Sequence, residues 1–270
     1  MPGRRFTSGT LDGRLTYTEI VYPLSSLLGA AAITTPVGAT TARQWAFGMN
    51  AGAPDNFRAY TVEIGSAVRG SRFAHGVITG LSMDFSSEEI TLGGDIIGRK
   101  WEDPFTMTSA GVTEVALVPV DPNDVTIYVD EAYATIGTTV MERVFAASWA
   151  ISGKYGPIWP INAANPSWAT VVELAPDATL NLTFAADAAG MDFLSVFEEG
   201  ATRYVRIEAV GPEIEAGQNY TFTADFAAKA QSMSFEDTDG VVSAAWELTL
   251  VDDPDLSGLD VTVITSLAAL

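Results

Sequence analysis

The chain has 270 residues, 47% of them hydrophobic and 10% aromatic, enough for a real core and too apolar for a globally disordered protein. It has no cysteine and one histidine, His75, which excludes a disulfide framework and a cysteine nucleophile and nearly excludes a zinc site. Asp and Glu number 34 against 14 Lys and Arg, a net charge of −20 that excludes a nucleic-acid reader working by counterion release. Such a surface serves solubility, and can also be one that nucleic acid must not stick to.

In chain order, residues 1–12 read as a polar, loose arm with no apolar run of a signal peptide, and no apolar stretch approaches a membrane span. A soluble protein used without secretion is expected. Arg14–Thr18 is predicted as a short strand and Glu19–Leu28 as a helix ended by Gly29, with Pro23 in its first turn. Ala30–Thr41 reads as a loop, and Gln44–Met49 and Arg58–Ile64 as strands.

His75–Lys100 (HGVITGLSMDFSSEEITLGGDIIGRK) is predicted as a long antiparallel hairpin. Leu81, Met83 and Phe85 alternate with Ser82, Asp84 and Ser86, giving one apolar and one polar face. Thr91 and Asp95 fall on or near the polar face. A bulge at Gly93-Gly94 would shift the phase, which leaves the side of Asp95 open.

Trp101–Gly111 reads as a connector. Val115–Val120 and Val125–Asp130 are expected strands around the Asp121–Asp124 turn. Val144–Ser152 and Ile158–Asn162 are expected to pair, followed by strands at Thr170–Leu174 and Thr179–Phe184 and a second helix at Met191–Glu199. Arg203–Val210 is a strand. Tyr220–Ala230 and Val241–Val251 form a second long hairpin around Asp239-Gly240, with Asp225 on its polar side and Trp246 on its apolar side. Val261–Leu270 is a short apolar tail.

Chemistry is sparse. There is no G-x-S-x-G elbow, Walker A loop, G-x-G-x-x-G or H-E-x-x-H motif. Glu88-Glu89, Glu198-Glu199 and Asp252-Asp253 are sequence neighbours, unlike the separated carboxyls of a glycosidase. Asp237-Thr238-Asp239-Gly240 lacks the later ligands of a calcium loop. His75 reads as an exposed or capping residue. No enzyme activity, metal or cofactor is expected.

The order strand, helix, strand, long hairpin occurs twice. Two modules, 1–111 with the N-terminal arm and 112–270, are therefore expected from a tandem duplication, with one large domain as the alternative.

The stretches RLTYTEIVYPLSSLLG, FRAYTVEIGSA, the His75–Lys100 hairpin, VTIYVDEAYATIGTTVMERVFAASWAISGKYGPIWPI and YTFTADFAAKAQSMSFEDTDGVVSAAWELTLVDDPDLSG together resemble the tail tube (major tail) proteins of long-tailed, siphovirus-type bacteriophages. The likeness lies in element order and pattern and covers most of residues 13–262. The short segment before Arg14 departs from it.

The resemblance implies a mainly β, sandwich or barrel-like fold with one or two short flanking helices. Long hairpins of neighbouring copies would close a ring-spanning barrel, and rings would stack into a hollow conduit for double-stranded DNA ejection. In the family 24 strands close the ring, a backbone radius of roughly 24 Å at about 4.8 Å per strand and a tilt of about 40°. Implied partners are further copies of the chain, with a trimer of pseudo-sixfold symmetry favoured over a hexamer, a tape measure protein, and tail-tip and terminator proteins. DNA would pass without specific binding and no membrane is involved. The implied place is the virion tail, assembled in the host cytoplasm.

Ser82, Asp84, Thr91, Asp95 and Asp225 are the expected lumen-facing residues. Leu24, Leu81, Met83, Phe85 and Trp246 are expected in the core, and Glu88 and Glu89 at ring contacts. Two rival readings are the inner tube of a contractile tail or injection system and a carbohydrate-binding β-sandwich whose tryptophans line a groove.

Overall fold

A computed structural model describes residues 4–49, 57–66, 68–109, 111–161, 167–187, 191, 194, 198–238 and 240–270. The fold is mainly β and antiparallel, with one described α-helix. The first half contributes β1 (Thr7–Arg14), α1 (Val21–Leu27), β2 (Ala32–Thr34), β3 (Arg43–Gly48), β4 (Tyr60–Gly65), β5 (Gly70–Ser86), β6 (Ile90–Gly98) and β7 (Glu102–Phe105). The second contributes β8 (Val125–Asp130), β9 (Val144–Ser152), β10 (Tyr155–Ile158), β11 (Thr170–Glu173), β12 (Asp177–Ala185), β13 (Arg203–Glu215), β14 (Gln218–Thr238), β15 (Val241–Leu250) and β16 (Leu259–Thr265).

Two very long strands organise the layers. The C-terminal part of β14 pairs with β15, and its N-terminal part lies between β13 and β16. The bulge between Ala230 and Ser232 falls where the partners change. One layer therefore runs β1-β6-β5-β9-β12-β15-β14, and a second runs β8-β13-β14-β16-β3-β2. β5 behaves alike: its N-terminal part pairs with β4 and β7, and its C-terminal part pairs with β6 from Val77 and, past a bulge between Ile78 and Gly80, with β9.

Several expected elements change. Residues 7–14 form β1, an edge strand along β6 from Thr7↔Gly98 to Arg14↔Thr91. Within TSGTLDGR only Leu11 packs on the core, so no alternation announces it. The expected connector after Trp101 contains β7, and β5 starts at Gly70, ahead of the hairpin expected from His75. Val115–Val120 forms no strand, making only a bridge from Pro119 to Thr16. β9 pairs with β5 and β12, and β10 pairs with β11 instead. The expected tail contains β16, flanked by β14 and β3. The helix expected at Met191–Glu199 lies mostly outside the described residues.

α1 is buried along nearly its whole length, and groups from β5 and β4 meet two of its polar atoms. Ser26 Oγ accepts the N–H of Ile78 (2.9 Å), and the Tyr60 hydroxyl donates to the carbonyl of Tyr22 (2.9 Å).

The core between the layers joins Leu81, Met83 and Phe85 of β5 to Trp149, Trp246, Phe222 and Phe226, with Leu24 of α1 in the same cluster. Phe85 stacks obliquely across the sandwich on Phe222, with ring centroids 6.3 Å apart, and the described polar contact of β5 with α1 is at Ile78. Strands from 1–111 and from 112–270 occur in both layers, joined by the β5–β9 and β16–β3 pairings.

The pairing pattern recurs along the chain. β6 is flanked by β1 and β5, with β4 and β7 beside the N-terminal part of β5. β15 is likewise flanked by β12 and β14, with β13 and β16 beside the N-terminal part of β14.

Candidate functional site

The first layer presents a continuous polar face across seven strands. One row of register partners crosses it: Arg14, Thr91, Asp84, Ser148, Asn181, Glu247 and Ser232. The next row runs Asp12, Gly93, Ser82, Ala150, Thr179 and Thr249. The face follows from period-two alternation in each strand: Leu180 and Leu182 turn inward while Thr179, Asn181 and Thr183 turn outward.

Its side chains are small. Serine, threonine, alanine and glycine dominate, and the charged groups are Asp12, Asp84, Asp95, Asp177, Glu236 and Glu247 against Arg14 and Lys229. Where Gly80, Gly93 and Gly94 meet, the surface sinks into a shallow trough of about 520 Å³ edged by Thr10, Asp12, Ser82, Asp95 and Ser152. A Cβ at Gly93 would approach Ser82 Oγ to 2.7 Å, so the trough is kept open by close strand packing. Local bonds hold the polar side chains down: Asn181 donates to Ser148 (3.3 Å) and the Ser232 hydroxyl to Glu247 (3.0 Å).

Ser82, Asp84, Thr91 and Asp95 share this face. β6 alternates without interruption through Gly93-Gly94, and the bulge that sequence placed there lies in β5 instead. Asp225 is elsewhere. It sits on the second layer in a bidentate pair with Arg206 (2.6 and 2.8 Å) and opposite Asp260 in register. The Asp260 carboxyl is pushed up by burial and by Asp225. Sequence grouped Asp225 with Asp84 because Tyr220–Phe226 alternates so cleanly, but that alternation belongs to the part of β14 in the other layer. Glu88 and Glu89 occupy the β5–β6 turn, where Ser86 Oγ accepts from the N–H of Glu89 at 3.2 Å. Glu89 also lies 3.8 Å from Arg14.

At its base the face is capped. Ile97, two residues beyond Asp95, packs with Val77 against Tyr155, Trp168 and Val171 of the β10–β11 ribbon. Lys154, almost fully buried beneath that ribbon, reaches Glu173 at 3.5 Å, and burial lowers its pKa. His75 stands edge-on to Trp168 with ring centroids 6.2 Å apart, and burial followed by the charge of Arg99 lowers its pKa. Sequence reading missed Asp12, Asp177, Asn181 and Glu247 as members of the face. Alternation was visible in their strands, but the pairing order that aligns them was not.

Among the described residues, no three His, Asp or Glu side chains cluster as metal ligands, and no helix is long and apolar enough to cross a membrane. The chain matches no protein-family model and no curated protein sequence.

Proposed function

We propose that this chain is a structural subunit that assembles with copies of itself into a hollow tube, the tail tube of a long-tailed bacteriophage, through which double-stranded DNA leaves the virion. The observation that carries this reading is the seven-strand polar face. An ordinary antiparallel sheet also shows one wet side. This one combines breadth, small hydroxyl side chains, glycines and an excess of carboxylates, which is the surface a passing duplex would slide along. Cationic side chains would grip phosphate, and large apolar ones would leave a water-filled channel poorly wetted. At physiological salt the screening length is about 8 Å, so the carboxylates would repel a duplex only close to the wall.

The tryptophans weigh against a sugar-binding groove. Trp45, Trp149, Trp168 and Trp246 are buried, Trp101 stacks on Phe73, and Trp159 is taken up by Phe6 and Arg4. Negative-stain microscopy of the purified protein tests the reading. Rings or tubes with a stain-filled lumen are expected, and a protein that stays monomeric at high concentration, or forms only solid aggregates, refutes it.

A further inference from the structure

The repeat within the chain extends to single residues. Aligning the β5 bulge with the β14 bulge pairs Gly80 with Ser232, Met83 with Phe235 and Ile90 with Val242. On the neighbouring strands, Tyr60 opposite Gly76 corresponds to Arg203 opposite Ala228, so Val62 corresponds to Val205 and Ile64 to Ile207, the register shift between Tyr60 and Val62 absorbing one extra residue of β5. Burial at these paired positions is opposite. Met83 and Ile90 are 0% and 2% exposed, whereas Phe235 and Val242 are 58% and 61% exposed. Ile207 is 0% exposed, whereas Ile64 is 56% exposed.

Chain order explains the contrast. The first hairpin is covered by the second half of the molecule, with Phe85 against Phe222 and Ile90 facing Ile127, Met141 and Val144. Among the described residues, no comparable set of strands lies over the tip of the second hairpin or against β4. The strand edges agree. β9 covers the edge of β5 opposite β6 and the edge of β12 opposite β15. Among the described residues, no strand covers the matching edges, on β14 beyond Ala228 and on β1. Beside β1 the space between the layers opens as a mainly apolar cleft of about 360 Å³, walled by Leu11, Tyr22, Pro23, Val62, Leu92 and Ile96. Charge is complementary too: exposed Glu236 and Asp237 lie at the hairpin tip, and exposed Arg5 and Arg14 flank β1.

We propose that copies join head to tail, with the β14–β15 hairpin of one laid against β1 and β4 of the next and Phe235 and Val242 seated in the Leu11–Val62–Leu92 cleft. The joint follows the one the two halves make within a chain, with β14 in the place beside β1 that β9 takes beside β12. It rests on the self-assembly part of the tube reading and needs nothing of the DNA conduit. Because the two surfaces differ, the contact is heterologous and propagates until a ring closes or a filament grows. It also covers the bare edges and the exposed apolar side chains that an isolated copy leaves in water.

The absence of cysteine makes the test direct. Phe235→Cys and Ile64→Cys, both at exposed positions, are made separately and in one chain. Under mild oxidation, the mixed single variants should give a reducible dimer, the double variant a ladder, and each single variant alone neither. Phe235→Asp with Val242→Asp should shift size-exclusion elution to the monomer while leaving the circular dichroism spectrum and melting cooperativity unchanged. Rings that form without this cross-link, or a Phe235→Cys variant that cross-links to itself, overturn the joint and leave the tube reading standing. A cross-linked ladder without any lumen by microscopy keeps the joint and overturns the tube reading. A protein monomeric in every form overturns both.

Discussion

Glu215 ties two distant segments together through one carboxylate. Its oxygens accept the N–H groups of Thr40, Thr41 and Ala42 at 2.7–3.1 Å and the Thr40 hydroxyl at 2.6 Å. The Ala42 N–H, with the Thr40 hydroxyl and the other two amides, holds its pKa down to about 2. A folded pKa below the unfolded one stabilises the fold at pH above about 4.5, and the contribution is lost as pH falls toward about 2. Glu215→Gln is therefore expected to lower the denaturant midpoint at pH 7 and to match the wild type near pH 2. Equal midpoints at both pH values would show that the loop is held by other means. Asp84 gives a contrasting prediction. It is exposed on the polar face, so Asp84→Lys is expected to change thermal stability by less than about 0.5 kcal/mol. On the tube reading it would slow DNA passage most at low salt, measured as ejection rate against ionic strength. The polarity of Asp84 was legible from alternation with Met83 and Phe85. The isolation of Asp225 was not, because one strand serves two layers and its faces change meaning where the partners change.

Among the elements, the two long hairpins were the most legible, since apolar alternation persists over many residues and a strand that long has few other uses. β1 was the least legible. TSGTLDGR has a single inward apolar side chain, and a partner strand some eighty residues away decides its conformation. β7 was hidden similarly, its partner among the described residues being the start of β5. The hairpin core gives a quantitative expectation. Phe85 is 5% exposed and bridges the layers to Phe222, so Phe85→Ala should destabilise by about 3–5 kcal/mol by denaturant unfolding. A loss under about 1 kcal/mol would mean the site collapses around the void or that the contact forms little of the core. Gly98 tests close packing from the other side. A Cβ there would run into the Phe73 ring, so Gly98→Ala should cost about 1–3 kcal/mol through forced movement of that ring.

At the scale of the molecule the question is how many copies close a ring. Each chain has seven strands in the polar layer, and the proposed head-to-tail joint would continue that layer from β14 of one copy to β1 of the next. With about 4.8 Å between strands and a tilt of about 40°, two copies would give a backbone radius of roughly 14 Å. Inward side chains would then leave too little room for a duplex of radius near 10 Å. Three copies would give roughly 21 Å, enough for the duplex and a layer of water, with the carboxylates still within about a screening length of the phosphates. Six copies would give roughly 42 Å, a lumen so wide that the wall would exert almost no field on its contents. On this reading the internal repeat would make the trimer nearly sixfold: each chain carries two similar hairpins, and, among the described residues, β8–β11 have no counterpart ahead of β1. Class averages of purified assemblies are therefore expected to show threefold rings with six lobes in unequal pairs, and native mass spectrometry should find multiples of three chains. Six equivalent chains per ring would remove this account of the repeat, because each copy would then turn through half the angle that its seven-strand layer is expected to supply.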